Sequence, residues 1–274
     1  MNKPHFLMCR PDYYNVNYVI NPWMEGNLNR PDVDKAAHEW NGFEQMLRER
    51  AGVSLIPQQV GLPDMVFAAN GAFILNNLAT ISNYRHPERQ GEAPLYEEWL
   101  RENHYQITHI PSHVAFEGAG DALHDKARQM IWAAWGFRTD AESHDPLAKI
   151  YHAQVASLHL VDQRFYHLDT CFCPLDGGSV IYYPAAFDAQ SVQTIEGIVE
   201  PERRIVVSEE DAVRFVCNAV EADGDLFVNE CSEELEAAIA EAGLRVRRTN
   251  LSQFLMAGGA NRCLTLRLNM EYLS

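Results

Sequence analysis

Apolar residues recur at helical spacing in several segments of the chain. In the clearest one, Leu235, Ala238, Ile239 and Ala242 fall on one face at positions i, i+3, i+4 and i+7. Ser232 is a capping residue type at the start of this segment, and a glycine follows its end. The pattern predicts a helix over Ser232 to Ala242. Similar stripes predict further helices, which are Asp34 to Arg50, Tyr96 to Glu102, Asp121 to Trp135, and a segment that starts after Ser208 and carries its stripe to Val220.

Short runs rich in β-branched and aromatic residues alternate with these helices. The predicted strands are Phe6 to Cys9, Met65 to Phe67, Ala72 to Leu75, Leu78 to Ser82, Gln106 to His109, Ala156 to Leu160, Phe165 to Cys173, Ser179 to Tyr182, Arg204 to Val207, Leu226 to Val228, Arg245 to Arg248 and Cys263 to Asn269. Such alternation indicates a mixed α/β protein. No exact internal repeat is visible, but the pattern is compatible with a small α/β unit that is repeated and closes into a ring. Because no linker-like segment divides residues 1–274, we expect a single domain.

Composition and charge exclude several classes of protein. The 274 residues carry a formal net charge of -16, which opposes binding to nucleic acid because such binding depends on Lys and Arg. The longest strongly apolar stretch, Met130 to Phe137, is too short to cross a bilayer, and the N-terminus does not resemble an export signal. The six cysteines are scattered without the density of a disulfide framework. We therefore expect a cytoplasmic protein with free thiols and no nucleic-acid or membrane partner.

The segment from Phe165 to Cys173 alternates as a strand does, which predicts that His167, Asp169, Cys171 and Cys173 share a face. Three interpretations are open: a metal site, a catalytic face that presents His167 and Asp169, and a histidine that simply packs in the core. Ligands at successive i, i+2 positions of one strand diverge, so they form a poor zinc cage. The metal interpretation is therefore disfavoured.

A cysteine follows a glycine pair near the end of the chain, in the segment from Met256 to Leu268. The pattern predicts a flexible turn at the two glycines and a strand that begins at Cys263, where a ligand has close access to the thiol. The alternative is a buried, inert cysteine, which is the commonest fate of a free thiol. The local sequence leaves both open.

Two further turns carry polar residues. Glu117 and Asp121 bracket a glycine-rich bend, which is not a phosphate loop because it lacks the Lys and Ser/Thr that such a loop requires. Asn70 follows a short apolar strand. Taken alone, Asp121 reads as a helix cap and Asn70 as an ordinary turn residue.

Together and in this order, these segments resemble the guanidine-modifying, or pentein, superfamily, which includes arginine deiminases, dimethylarginine dimethylaminohydrolases and arginine dihydrolases. The most specific matches are His167-Leu-Asp169-Thr, the turn from Glu117 to Asp121, and the glycine pair that precedes Cys263-Leu-Thr-Leu. The stretch from Met8 to Met24 is similar to the branch that contains the bacterial arginine dihydrolases. The resemblance implies a five-bladed α/β propeller with pseudo-fivefold repeats and a central active site.

The resemblance also implies the catalytic roles. Cys263 attacks the guanidinium carbon to form a thiouronium-type intermediate, and His167 protonates the departing ammonia and then activates water. Glu117 acts with them, and together with Asp169 it holds the guanidinium nitrogens. Neither a cofactor nor a metal is implied, and the partner is a small guanidine such as arginine, while the oligomeric state is left open.

Four more residues are candidates for substrate binding. Arg89 and Arg138 are expected to grip the substrate α-carboxylate, because a guanidinium offers a bidentate fork, unless they are ordinary surface residues. Asn21 adds a polar contact, and Asp121 completes the substrate-binding set.

The chain departs from the superfamily pattern at several positions. Many members carry Asp at the position of Asn70 and a turn one residue shorter between Glu117 and Asp121, while Gln253 and Met256 replace a Glu and a Lys. A carboxylate at position 70 favours a cationic guanidinium, whereas a neutral amide offers both a donor and an acceptor and suits the neutral ureido product as well.

We therefore expect an arginine dihydrolase, which converts arginine into ornithine, carbon dioxide and ammonia by two successive hydrolyses at Cys263. The alternatives are an arginine deiminase or a dimethylargininase that stops at citrulline. A rival of another class is a metal-dependent or non-enzymatic binding protein that uses the face from His167 to Cys173.

Overall fold

The computed structural model describes residues 3–272, in which fifteen strands alternate with eight α-helices and several short 3-10 turns. The chain begins with β1 (His5–Cys9), α1 (Val33–Arg48) and β2 (Gly52–Ile56). Two units follow: β3 (Ala72–Leu75), β4 (Leu78–Ile81), α2 (Pro87–Gln90), α3 (Ala93–Glu102) and β5 (Gln106–His109), then β6 (Ala122–Asp125), β7 (Met130–Trp135), α4 (His144–Tyr151) and β8 (Val155–His159). The remaining elements are β9 (Phe172–Pro174), β10 (Val180–Tyr182), α5 (Ala189–Ile198) and β11 (Arg204–Val206), then α6 (Glu209–Ala212), β12 (Val220–Ala222), β13 (Asp225–Val228), α7 (Glu233–Glu241), β14 (Arg245–Arg248), α8 (Ser252–Leu255) and β15 (Leu266–Arg267).

The strands form five three-stranded sheets with the same internal order. In each sheet the first strand is antiparallel to the second, and the third strand is parallel to the second after a helical crossover. The first sheet joins the two ends of the chain, since β15 pairs with β1, and β1 pairs with β2. The five repeated sheets confirm the prediction of a five-bladed α/β propeller.

A short turn precedes the first strand of every blade. We call these the hub turns, and they comprise residues 67–70, 117–120, 167–170, 215–218 and 262–265. Each contains the same backbone hydrogen bond from residue i+3 to residue i: Asn70 to Phe67 (3.1 Å), Gly120 to Glu117 (3.2 Å), Thr170 to His167 (3.2 Å), Asn218 to Phe215 (3.0 Å) and Thr265 to Arg262 (2.9 Å). Neighbouring hub turns touch one another, as in the bond from Ala69 N to Cys263 O at 3.1 Å. The chain thus presents five equivalent turns to one central site.

The helices form where a capping residue meets an apolar stripe. Asp32, Asp188 and Ser232 each accept a backbone N–H in the first turn of α1, α5 and α7. The helices predicted over Asp34 to Arg50, Tyr96 to Glu102 and Ser232 to Ala242 are confirmed to within a few residues. No helix among residues 3–272 is long and apolar enough to cross a membrane.

The helix predicted over Asp121 to Trp135 is wrong. This segment forms the hairpin of β6 and β7, and Gln129 turns the chain with a φ of 52°. Both strands are buried almost throughout, so apolar residues occupy both of their faces. A strand that is buried on both sides lacks the alternation that distinguishes it from a helix.

Three of the predicted strands are wrong where they run across hub turns. Phe165 to Cys173 contains two 3-10 turns and only then β9, so His167, Asp169, Cys171 and Cys173 do not share the face of a strand. Met65 to Phe67 is likewise 3-10, and Cys263 lies in a turn before the two-residue β15. The helix after Ser208 ends at Ala212, because Phe215 takes a positive φ of 62° and Val220 enters β12.

Candidate active site

The hub turns bring together the main residues that the sequence singles out. Asn70 lies on the second blade, Glu117 and Asp121 on the third, and His167 and Asp169 on the fourth, while Cys263 precedes the last strand. All of them are buried. Residues up to nearly two hundred positions apart are therefore assembled by the pseudo-fivefold repeat rather than by any single motif.

Cys263 lies between an acceptor and a donor. Its thiol, which is 2% exposed, donates to Asp169 Oδ2 at 3.3 Å, and its sulfur accepts from Asn218 Nδ2 at 3.1 Å. Burial and the neighbouring carboxylate of Asp169 raise the pKa of the Cys263 thiol well above its usual value. A cation bound beside the sulfur would oppose both effects and lower the pKa of the thiol.

His167 is oriented by Glu117. His167 Nε2 lies 2.7 Å from Glu117 Oε2, and its Nδ1 is buried without a partner among residues 3–272. Burial opposes ionisation of Glu117, but Arg138 and His167 outweigh it and hold the pKa of this carboxyl well below its usual value. Since an ionised Glu117 accepts the Nε2–H bond, Nδ1 is the ring atom that is free to exchange protons.

The two aspartates of the site have different surroundings. Burial raises the pKa of Asp121 to about 6 and that of Asp169 to about 7. Both oxygens of Asp121 accept protein donors, from Thr139 Oγ1 at 2.7 Å and Leu168 N at 3.0 Å. Asp169 keeps Oδ1 buried and without a partner in the part of the chain that the structure describes. Asp121 therefore supports the turn that carries His167, whereas Asp169 has an oxygen left to accept from a ligand.

Asn70 presents one half of its amide to the site. Its Oδ1 accepts from Arg89 Nη1 at 2.8 Å, while its Nδ2 is buried without a partner among the described residues. A Cβ at Gly120 would collide with Asn70 Nδ2 and would lie 3.3 Å from the ring of His167. The amide nitrogen and the imidazole therefore approach the same point, and a glycine is required between them.

Arg89 and Arg138 are buried, which removes the interpretation of either as a surface residue. Arg89 donates twice to Glu92 at 2.8 Å, once to Asn70 and once to a backbone carbonyl, so four of its five N–H donors are engaged. Among the described residues, Arg138 donates to Glu117 Oε2 at 3.1 Å and to Ile20 O at 3.0 Å and to no other acceptor. Arg138 thus has more capacity to hold a further carboxylate.

Asn21 is engaged in local structure. Its Oδ1 accepts from Trp23 N and Met24 N, so it caps a short 3-10 turn, and its Nδ2 donates to Ala257 O at 3.0 Å. Gly258 packs against this amide with a φ of 82°, and a Cβ there would lie 3.1 Å from Asn21 Oδ1. Asn21 thereby shapes the glycine turn that precedes Cys263.

Sequence reasoning missed two residues of the site. Asn218 lies on the hub turn of the fifth blade and contacts Cys263, and the spacing of about 50 residues between successive hub turns is the signal that points to it. Asp64 is buried beside Arg89, and its Oδ2 accepts from Tyr18 at 3.1 Å, while its Oδ1 has no partner within residues 3–272. No local pattern marks Asp64, because it precedes an apolar segment as many turn residues do.

The six cysteines are all free, as predicted. Among residues 3–272, no group of three or more His, Cys, Asp or Glu side chains is arranged to hold a metal ion. The buried residues that the hub turns bring together offer a thiol, an imidazole and carboxylates for chemistry.

The chain matches a known protein family. A model of the family described as N,N dimethylarginine dimethylhydrolase, eukaryotic, matches residues 15–270. The chain belongs to the dimethylarginine dimethylaminohydrolase family. This confirms the resemblance to the guanidine-modifying superfamily.

Curated relatives of this family member include two bifunctional arginine dihydrolase/ornithine cyclodeaminases. ArgZ from Synechocystis is 49% identical over 97% of the chain, and AgrE from Nostoc is 48% identical over the same share. The chain spans 38% of the length of each. An N(G),N(G)-dimethylarginine dimethylaminohydrolase from Mycobacterium tuberculosis is 36% identical over 96% of the chain and 85% of the relative.

Solved structures of relatives share the fold. The N-terminal domain of ArgZ, in a cysteine variant bound to substrate, superposes with a TM-score of 0.97 at 47% identity, over 98% of the chain and all of that domain. An adduct of a dimethylarginine dimethylaminohydrolase with S-methyl-L-thiocitrulline has a TM-score of 0.80 at 19% identity, over 97% of the chain and 100% of that chain, and shows the fold alone. This family member therefore has the pentein propeller.

Proposed function

We propose that the protein is an arginine dihydrolase, which converts arginine into ornithine, carbon dioxide and two molecules of ammonia through covalent intermediates on Cys263. The observation that carries the proposal is the neutral amide of Asn70, whose unpartnered Nδ2 lies beside His167 in a site that also holds a thiol and Asp169. The relatives support it, since the ArgZ domain that aligns with the chain is described as an arginine dihydrolase and AgrE has been solved in complex with L-arginine.

Three buried side chains suit the three charged groups of arginine. Asp169 Oδ1 accepts from the guanidinium, and the free N–H donors of Arg138 hold the α-carboxylate. Asp64 Oδ1 accepts from the α-ammonium group, close to Arg89. Unpartnered buried polar atoms are destabilising on their own, and a ligand with matching charges satisfies them.

The first hydrolysis removes one terminal nitrogen. The Cys263 sulfur bonds to the guanidinium carbon, His167 donates a proton to the terminal amine, and the C–N bond breaks to release ammonia. Water then loses a proton to His167 and adds to the same carbon of the thiouronium intermediate. The C–S bond breaks, which regenerates the cysteine and leaves citrulline.

The second hydrolysis repeats these steps on the ureido group. The sulfur adds to the ureido carbon, a second ammonia leaves, and water hydrolyses the resulting thiocarbamate. The carbamic acid that forms loses carbon dioxide to give ornithine. Because the Asn70 amide is neutral, it does not require a cationic substrate, so citrulline is retained for this second round.

We also infer that this region acts as one catalytic domain in the cytoplasm. The match to the whole ArgZ N-terminal domain supports the first part, and six free cysteines support the second.

Product analysis tests the function. Purified protein is incubated with arginine, dimethylarginine, agmatine or citrulline, and ornithine, citrulline and ammonia are quantified. We expect ornithine from both arginine and citrulline, and no turnover by the Cys263→Ser variant. A Cys231→Ser variant, which alters a buried cysteine between β13 and α7 and outside the hub turns, is the matched control and retains activity. Accumulation of citrulline alone would contradict the proposal.

A dimethylargininase or an arginine deiminase is the second candidate, because the family model and the mycobacterial relative carry the former description. Both reactions use the same cysteine and histidine but end at citrulline. Turnover of dimethylarginine to citrulline, without further conversion, would support this candidate instead.

A further inference from the structure

Asn218 contacts the Cys263 nucleophile, but it belongs to none of the sequence motifs and has no part in the proposed function. It lies on the hub turn of the fifth blade, 45 residues before Cys263, and is 0% exposed. Its backbone also accepts from the neighbour of the cysteine, through Arg262 N at 3.1 Å. The hub turn of the fifth blade is thus joined directly to the turn that carries the thiol.

The side-chain amide of Asn218 makes four hydrogen bonds. Its Oδ1 accepts from Cys263 N at 3.1 Å and from Ala260 N at 3.1 Å. Its Nδ2 donates to Asp169 O at 3.0 Å and to the Cys263 sulfur at 3.1 Å. Both donors of the amide and both lone pairs of its oxygen are used.

These partners also determine which way the amide points. If the amide were reversed, its NH2 group would face two backbone N–H donors, and its oxygen would face the carbonyl of Asp169. The observed orientation is therefore required, and it directs an N–H at the sulfur. A donor at that position stabilises a thiolate more than a thiol.

The two hydrolyses differ in how strongly the substrate favours ionisation of the Cys263 thiol. Arginine brings a positive charge next to the sulfur, and this charge favours the thiolate. Citrulline is neutral and brings none. In the second hydrolysis, ionisation of Cys263 depends on donors that belong to the protein. Among the described residues these are the side-chain amide of Asn218, 3.1 Å from the sulfur, and the backbone of Ala260, and both lower the pKa of the thiol.

We propose that Asn218 is a positioning residue that fixes the turn of Cys263 and stabilises its thiolate, and that the second hydrolysis depends on it more than the first. The preference for the second step rests on the proposed function. The action on the sulfur does not, since it follows from the four contacts alone.

Kinetics with two substrates test the preference. In Asn218→Ala, we expect kcat/KM to fall about tenfold for arginine and about a hundredfold for citrulline, the range that the loss of a hydrogen bond to an ionised group covers. Asn229→Ala is the matched control, because Asn229 is also buried and bridges backbone groups of the same blade, at Arg214 O and Leu251 N, but does not contact the site. We expect it to leave the ratio of the two kcat/KM values unchanged.

The pH dependence of alkylation tests the action on the sulfur without any substrate. Iodoacetamide labelling of the peptide that contains Cys263 is followed by mass spectrometry across a pH series. We expect the rise in labelling to shift to higher pH in Asn218→Ala, and not in Asn229→Ala. If Asn218→Ala does not fold, Asn218→Asp retains the acceptor for Cys263 N and Ala260 N but removes the N–H from the sulfur, and the same shift is expected.

Equal losses for the two substrates would overturn the preference, and an unchanged labelling profile would overturn the action on the sulfur. If the wild-type protein consumes arginine but no citrulline, the double hydrolysis fails while the labelling profile still decides the role of Asn218. The two failures are therefore distinguishable.

Discussion

In the proposed reaction, Asn70 determines whether citrulline is retained for the second hydrolysis. Its Oδ1 is held by Arg89, which leaves Nδ2 directed at the space beside His167. Arg89 is itself fixed by two bonds to Glu92. Arg89 thus orients the amide, and fewer of the N–H donors of Arg138 are engaged among the described residues.

The Asn70→Asp variant tests this assignment. A carboxylate at this position pairs with Arg89 and favours the cationic guanidinium over the neutral ureido group. We expect the ratio of citrulline to ornithine among the products of arginine to rise by about tenfold or more, which corresponds to roughly 1.4 kcal/mol of discrimination. Chromatography of the amino-acid products measures the ratio. An unchanged ratio would show that Asn70 does not control retention of citrulline.

The pH dependence of stability follows from the same buried carboxyls. Burial raises the pKa of Asp121 to about 6 and that of Asp169 to about 7, so the folded state binds more protons than the unfolded state between about pH 4 and pH 7. These two groups therefore make the unliganded protein less stable as the pH rises through that window. The pKa of Glu117 is lowered, so this group affects stability below that window. The stability that it contributes is lost as the pH falls.

We expect the free energy of unfolding, measured with denaturant at about pH 5 and about pH 7.5, to decrease with pH less steeply in Asp169→Asn than in the wild type. The amide cannot ionise, so its contribution to the slope disappears. A slope that is identical in both proteins would mean that Asp169 titrates in the folded state as it does in the unfolded chain.

The hub turns and the residues that directly follow them are closely packed in short 3-10 geometry. A Cβ at Gly71 would lie 2.5 Å from the ring of Tyr96, which is buried and bonded to Met65 O at 2.6 Å and so has no room to move. In contrast, Gly197 lies exposed in α5, and nothing is found within 4 Å of its Cβ position. The same substitution therefore has opposite consequences at the two glycines.

We expect Gly71→Ala to lower the free energy of unfolding by about 1–3 kcal/mol through overpacking. Gly197→Ala should raise it by about 0.5–1 kcal/mol, because alanine restricts the unfolded chain and favours the helix. Denaturant unfolding of both variants measures the two changes. Destabilisation by Gly197→Ala would contradict this view of α5.

Some helices and strands could be predicted from the sequence alone, and others could not. Capped amphipathic helices such as α1 and α7 were predictable, because an apolar stripe and a cap are local signals. The hairpin of β6 and β7 was not, since its strands are buried on both faces. The hub turn around His167 was mistaken for a strand because alternation of polar and apolar residues does not distinguish it from 3-10 geometry.

The site residues that lie in short local motifs could be predicted from the sequence, and the others could not. His167, Asp169, Glu117 and Cys263 were found through short motifs in a fixed order. Asn218 was missed because its contacts with Cys263 arise only when the fifth blade is placed beside the first. The sequence around it, Val-Cys-Asn-Ala, contains neither a glycine turn nor a charged residue.

At the scale of the whole molecule, the ring closes through pairing of its two ends and through an ionic cluster. β15 pairs with β1, and Asp225 on the last blade accepts from Arg50, which follows α1 of the first blade, at 2.8 Å. Arg245 and Arg247 bond to the same carboxylate at 2.8 and 3.1 Å. Asp225 therefore joins the blades at the seam, away from the hub turns that carry the chemistry.

We expect Asp225→Asn to lower the free energy of unfolding by about 1–3 kcal/mol, because three guanidinium groups lose a charged acceptor. The kcat for arginine should remain within about twofold of the wild type. Asp225 lies far from the site, and distant residues that share no partners are coupled only weakly. Asp223→Asn, at the exposed carboxylate 3.8 Å from Arg50, is the matched control and should have little effect on stability. Equal destabilisation by both variants would refute the role of the seam.

The fate of the guanidino carbon tests the central claim most directly. Arginine labelled with carbon-13 at that atom is supplied to the protein, and the label is followed by mass spectrometry in acid-quenched samples and in the released products. We expect the label first on the peptide that contains Cys263 and finally in carbon dioxide. A label that remains in citrulline, or that never becomes attached to Cys263, would contradict it.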